Sequence, residues 1–454
     1  MSMDEGNLVV AIVMLFPLAL LYRRVIPLTS PLTKDILLSI TGLLLYIFCF
    51  GADSLHVVGI VLGSYVFVWI FGVSLITCLV VFFVSLSHLL YGYLTVSGVN
   101  YSITWTLIHC SAILKVIGYF IDLYDSKKCS PESFISYLAF VVFPFTSLVG
   151  PQFQYDRYKK FREATEIPSS LSYSVERTVL GVIYVTIFYS INKFTSTDFL
   201  ISPTFQSYSL PVKLVFITFW SKWLVTKYCG VWCFAEAAAA ITGIGKEETP
   251  RLVENNNSCD ISEDSSGISS KKENLLPALV SWDGISNIHA KKFELSLKIQ
   301  DELTSFNVQV HHWVKRYVYK RCKVLNNMLI SRVLSLLFLY LWHGVYLGFL
   351  NLFLVEALGI SCEEALNRYI SRDKLVLSAS SWLPEGLVRW VLVALQYLLK
   401  NMCVGYGLVG FALRSRDRCH VFYGSVYYCF HVGMLLFLLV DGVVSRKMVK
   451  RKVK

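Results

Sequence analysis

His343 lies deep in the apolar run 328–356, at the end of the stretch LLFLYLWH, where an ionisable side chain marks a functional site by default. An imidazole with an unperturbed pKa of about 6.5 is suited to taking a proton near neutral pH, and apolar surroundings favour the neutral form a base needs. Asn307 lies upstream, in the segment Phe306 to Arg321, FNVQVHHWVKRYVYKR. Its amide is neutral and both donates and accepts. It could orient the imidazole, hold a hydroxyl, or donate to a developing oxyanion, and the residues do not choose among these. The chemistry such a pair supports is attack of a bound alcohol on an activated carbonyl. No GxSxG motif is present and no Cys adjoins His343, so direct attack without an acyl-enzyme is the simpler expectation. A straight helix rising about 1.5 Å per residue would hold Asn307 and His343 more than a bilayer apart, so the chain between them must turn back or re-enter.

The elements that must position this pair belong to a membrane. Of the 454 residues, 55% are hydrophobic and only 16% charged, against about 25% charge in a soluble domain. The mean hydropathy is +0.56. The 26 Tyr, 30 Phe and 10 Trp suit interfacial aromatic belts. A net charge of +11 would raise nucleic-acid binding in a soluble protein. Here the basic residues sit in short loops beside apolar runs, where the positive-inside rule explains them, and no nucleic-acid partner is expected.

Apolar runs near 7–22, 36–51, 55–73, 74–95, 104–121, 134–150, 178–192, 211–241, 328–356, 387–413 and 421–444 predict about eleven transmembrane or re-entrant helices. Runs this continuous fit helices rather than barrel strands, so the fold class is all-α and polytopic, a single domain over 1–454. The runs 134–150 and 178–192 are short for a full span, and 211–241 reads as one tilted helix or a tight hairpin. Residues 7–22, followed by Arg23 and Arg24, read as a retained segment rather than a cleaved signal. Residues 246–274, rich in Ser, Asn and charge, predict a flexible extramembrane loop. The sequons at Asn100 and Asn256 are weak signals.

The wording FNVQVHHWVKRYVYKR followed by LWHG, with Trp282 and Asp283 before it, resembles the membrane-bound O-acyltransferase family and its lysophospholipid acyltransferase branch. Gly150 to Phe153 is similar to the family's GPQF-type turn, although Pro151 as a helix stop explains it without a catalytic role. The resemblance implies that Asn307 and His343 are the active-site pair. It further implies transfer of an acyl group, polyunsaturated by preference, from acyl-coenzyme A to the sn-2 hydroxyl of a lysophospholipid, with acyl-coenzyme A as co-substrate and no resident cofactor. Lysophosphatidylcholine is the expected acceptor, with lysophosphatidylethanolamine or lysophosphatidylserine.

Lys315, Arg316, Lys320 and Arg321 have two compatible readings: contacts to the phosphates of coenzyme A, or anchorage to anionic headgroups. His311 and His312 are adjacent and lack the spacing of a paired metal site, so no metal is expected. Glu236, among alanines, is either a structural acceptor or part of the polar site. The 12 Cys contain no CxxC pair and read as free thiols. Lys450 and Lys452 in the basic tail 445–454 are similar to a dilysine retrieval signal, which implies the endoplasmic reticulum membrane and a cytosolic C-terminus. Homo-oligomerisation is left open. Rival readings are a family member acting on lysophosphatidylinositol, a sterol or a diacylglycerol, and a polytopic transporter using His343 as a relay.

Overall fold

The computed structural model describes residues 3–96, 103–168, 170–192, 195–251, 276–372 and 385–452. Most of the 246–274 loop, both sequons and the last two residues lie outside them. The chain is helical almost throughout: α1 (Met3–Val25), α2 (Pro31–Phe50), α3 (Leu55–Phe71), α4 (Leu75–Val96), α5 (Thr106–Asp125), α6 (Phe134–Val141), α7 (Tyr155–Glu163), α8 (Leu171–Asn192) and α9 (Leu210–Thr242) form the first half. A short antiparallel strand pair, β1 (Glu247–Arg251) with β2 (Leu276–Ser281), follows α9. Three short helices come next: α10 (Ala290–Leu295), α11 (Ile299–Ser305) and α12 (Val308–Val314). The last part holds α13 (Met328–His343), α14 (Leu347–Arg372), α15 (Glu385–Leu413), α16 (Arg416–Ser425) and α17 (Cys429–Lys452).

Among the described residues, seven helices are long and apolar enough to cross a membrane, or eight if the bent pair α16 and α17 is one span. The expected count of about eleven, which included re-entrant helices, is not confirmed as full spans, for identifiable reasons. The runs 36–51 and 55–73 do not form two spans: residues 31–71 make one 41-residue helix, joined through a 3₁₀ turn at Gly51–Ser54. The run 134–150 breaks at Val142, leaving α6 only 8 residues long and too short to cross. The run 328–356 breaks at Gly344, whose φ of 111° is open to glycine and strained for other residues. By contrast 211–241 is one 33-residue helix rather than a hairpin.

That long helix, α9, organises the interior. It packs along α8, α15 and α1, and its alanine-rich half, Ala235 and Ala237 to Ala240, is fully buried. Small residues let neighbouring backbones approach closely. The same device sets α14 against α15, where a Cβ on Gly348 would lie 2.0 Å from the carbonyl oxygen of Gly410. Large exposed apolar residues cover the outer helices, including Leu62, Trp69, Phe83, Val182 and Leu439, as a lipid-facing surface requires.

Candidate active site

Asn307 is set by its backbone. It occupies the N-cap of α12 in the left-handed region (φ 51°, ψ 44°), which Asn tolerates better than most residues. Flanking residues are tied to the segment before α10: Val308 N–H donates to Asn287 O at 3.0 Å, and His289 N–H donates to Ser305 O at 2.9 Å. Phe306 forms a bridge to Ile288. The Gln309 amide donates to the carbonyls of Asp283 (2.6 Å) and Ser286 (3.1 Å). Trp282 and Asp283, singled out in the sequence, therefore begin the segment that holds Asn307.

Glu236 fastens that segment to α9. Its Oε1 accepts the backbone N–H of Asn287 (2.6 Å) and Ile288 (3.2 Å), while Oε2 accepts from Tyr173 (3.2 Å) and lies 3.4 Å from Arg177 Nε. Arg177 also donates to Ile288 O at 3.1 Å. Glu236 is thus the structural acceptor, and what it structures is the support of Asn307. The Gly150 turn closes the other side, where a Cβ would meet the Asn287 amide nitrogen at 2.7 Å.

His343 is the last residue of α13. Its ring lies among Trp342 (4.7 Å between centroids), Phe353 (5.8 Å), Phe349 (5.9 Å) and Phe411 (6.2 Å). Trp342 is anchored at both ends, its Nε1 donating to Cys110 O (3.0 Å) and its carbonyl accepting from Tyr93 (2.9 Å). The His343 imidazole itself has no hydrogen-bond partner among the described residues. A histidine kept only for structure would be expected to have one, because an unpaired buried polar group costs about 1–3 kcal/mol.

His311 connects the two. It stands one turn after Asn307 on α12, its N–H donating to Asn307 O at 3.2 Å, and it is the ionisable neighbour felt by His343. Loss of solvent around the His311 imidazole pushes it down to about 4, with His312 adding to the effect, so it is neutral at pH 7. A chain of rings completes the connection: Phe411 to Tyr228 (6.2 Å), Tyr228 to Trp232 (6.2 Å), and Trp232 to Phe306 (4.8 Å). His343, Tyr228, Trp232, Phe306 and Phe411 are half-buried although they face inward, so they border an internal space. The chain does turn back, and it brings the helix that begins at Asn307 to His343.

The basic group divides. Arg316 is bound to Asp122 (2.9 Å) and Gln154 (3.2 Å), and Arg321 to Asp125, which clamps the π-helical segment Lys315–Tyr319 and its neighbour to the end of α5. Lys315 and Lys320 are exposed, with no ion pair among the described residues. Beneath the clamp is a cleft of about 30 Å³ bordered by Lys115, Gln152, Gln309 and His312. Among the described residues no group of His, Cys, Asp and Glu is arranged to hold a metal ion.

Residues 128–404 match the membrane-bound O-acyltransferase family. The chain belongs to that family. Membership accounts for the multi-pass helical architecture. Relatives extend over nearly the whole chain. The protein named lysophospholipid acyltransferase 5 from Bos taurus is 28% identical, over 99% of this chain and 91% of its own length. The protein of the same name from Drosophila melanogaster is 29% identical, over 91% and 82%. A lysophospholipid acyltransferase from Schizosaccharomyces pombe is 22% identical, over 75% and 67%.

Some members of this O-acyltransferase site carry no signature in the sequence. Asn287 is 2% exposed and is bound on both sides, yet its partners come from α9 and α12. On the far side of α14, His431 bonds Tyr406 (2.7 Å) and Asn351 (2.6 Å), joining α14, α15 and α17 behind Phe349 and Phe353. A polar residue recurring on otherwise apolar helices was the available signal, and it was too common to single these out.

Proposed function

We propose that this O-acyltransferase moves a fatty acyl group from acyl-coenzyme A to the sn-2 hydroxyl of a lysophospholipid. His343, with no hydrogen-bond partner among the described residues and facing the helix that starts at Asn307, is the observation that carries the reading. The names of the relatives support the acceptor class.

In this reading the His343 imidazole takes the hydroxyl proton as the alcohol oxygen attacks the thioester carbonyl carbon. The tetrahedral oxyanion collapses, the carbon–sulfur bond breaks, and the imidazolium returns the proton to the departing thiolate. Asn307 holds the hydroxyl or donates to the oxyanion from a backbone position fixed by the Glu236 and Asn287 contacts. The aromatic lining excludes water and so suppresses thioester hydrolysis. Lys315 and Lys320 are free to meet coenzyme A phosphates, whereas Arg316 and Arg321 are engaged by carboxylates. The donor enters from the cytosolic face, and the basic tail 445–454, similar to a dilysine signal, supports a cytosolic C-terminus in the endoplasmic reticulum membrane.

The test is transfer of labelled arachidonoyl from its coenzyme A ester to lysophosphatidylcholine in microsomes, comparing wild type with equally expressed His343→Ala and Asn307→Ala. Removing the base lowers the rate about 10²- to 10⁴-fold, and removing the amide lowers it about 10²- to 10³-fold. Equal transfer by wild type and His343→Ala overturns the assignment of the base. Transfer only to a sterol, a diacylglycerol or lysophosphatidylinositol overturns the acceptor.

A further inference from the structure

Glu356 is a carboxylate facing the interior with nothing of its own to bind. On α14 the exposed side chains Leu347, Leu350 and Leu354 mark the outer face. At 3.6 residues per turn, Glu356 falls on the opposite face, beside Phe349, Leu352 and Phe353. It is half-buried while Leu352, Phe353 and Val355 around it are buried, so it borders the internal space rather than lipid. It stands one turn from Phe353, whose ring packs on His343. Its carboxyl has no hydrogen bond or ion pair among the described residues.

The ammoniums nearest to it are already taken. Glu302 on α11 is the ionisable group that Glu356 feels. Glu302 is already paired with Lys400 and with Lys222 (2.8 Å), and Lys222 also approaches Glu294 at 3.8 Å. Glu294, Glu302 and Glu356 thus face two ammoniums, Lys222 and Lys400, and both of those are engaged by Glu302. Glu356 is thus the one acid of the three with no cation at ion-pair distance among the described residues, in a region of low dielectric one turn from Phe353. A carboxylate with aromatic faces nearby is the combination that binds a substituted ammonium.

We propose that Glu356 is a specificity-determining residue that receives the cationic nitrogen of the acceptor's headgroup while the sn-2 hydroxyl lies at His343. This rests on the lysophospholipid reading above. The separation suits it: one helical turn plus a ring contact lies between Glu356 and His343, and a phosphodiester with a two-carbon arm lies between that hydroxyl and that nitrogen. The acceptors favoured are those whose headgroup carries an amine or a quaternary ammonium.

The experiment compares lysophosphatidylcholine with its uncharged isostere, in which a carbon replaces the quaternary nitrogen, on full-length protein in vesicles of phosphatidylcholine. In the wild type the isostere lowers kcat/KM about tenfold through the acceptor KM, with the acyl-coenzyme A KM unchanged. In Glu356→Gln the two acceptors become equivalent, and Glu356→Asp restores part of the preference. Equal use of both acceptors by the wild type overturns the proposal without any variant having to fold. An undiminished preference for the cationic acceptor in Glu356→Gln also overturns it. A wild type that acylates no lysophospholipid fails at the earlier step and shows that the acceptor class was wrong.

Discussion

Glu236 Oε1 accepts the backbone N–H of Asn287 at 2.6 Å, and through that bond a carboxylate near the C-terminal end of α9 holds the peptide segment against which Asn307 is set. A membrane-embedded acid can look like a proton carrier. With two backbone amides, a phenol and a guanidinium arranged around it, this one is a fastening.

Glu236→Gln keeps an acceptor for the amides but leaves the Arg177 guanidinium without its counter-charge. Breaking a buried ion pair costs about 3–5 kcal/mol. The expected outcome is a clear drop in Tm in detergent together with loss of acyl transfer. A variant with wild-type Tm and activity would show that Tyr173 and the loop backbone hold the segment unaided.

Gly344→Ala places a side chain where φ is 111°, with the Tyr346 ring at 3.4 Å and the Tyr93 ring at 3.5 Å. Forcing that backbone costs about 1–3 kcal/mol. His343 immediately precedes the corner, so activity should fall by more than tenfold while the expressed amount changes little. Rates normalised to purified protein decide this.

The two halves of the basic group should separate experimentally. Arg316→Ala frees Asp122, which also accepts from Tyr317 at 2.7 Å, and should lower thermal stability. Combined Lys315→Ala and Lys320→Ala should leave Tm in place and raise the KM for acyl-coenzyme A, an effect that weakens as salt is added. A raised donor KM in Arg316→Ala alone, at unchanged Tm, would assign the phosphate contact to the arginine instead.

His311 carries a sign that can be checked. Its folded-state pKa, about 4, lies below the ordinary value of 6.5, so the unfolded chain binds more protons between those limits. Its neutral form is fully accommodated above about pH 6.5, and stability falls as the pH drops from there toward 4. In His311→Asn the fall in Tm over that window should be shallower than in wild type. Identical slopes would show that other groups set the acid sensitivity.

Asn307 and His343 could be singled out because a polar motif and an intramembrane imidazole each stand out against apolar sequence, and the structure brings their helices together. Their surroundings could not. Asn287, Arg177 and Glu236 meet only through tertiary contacts, and nothing local in the chain links α8, α9 and the loop before α10. The paired arginines illustrate the same limit: Arg316 and Arg321 read as free cations until α5 supplies Asp122 and Asp125. The number of full spans was hard to read for a different reason. Hydropathy registers apolar stretches, but it does not distinguish a reversal at Gly51–Ser54 from a continuation, or a spanning run from an eight-residue interior helix such as α6.

Where α14 crosses α15, peptide planes touch at Gly348 and Gly410 with no side chain between them. The rings that enclose His343 project from these same two helices, Phe349 and Phe353 from one and Phe411 from the other. The bore of the chamber is therefore gauged by backbone thickness, the smallest spacer a helix pair can have. Substitution at the crossing can only widen it, so any narrowing has to come from the rings, while the glycines set the minimum from which they work.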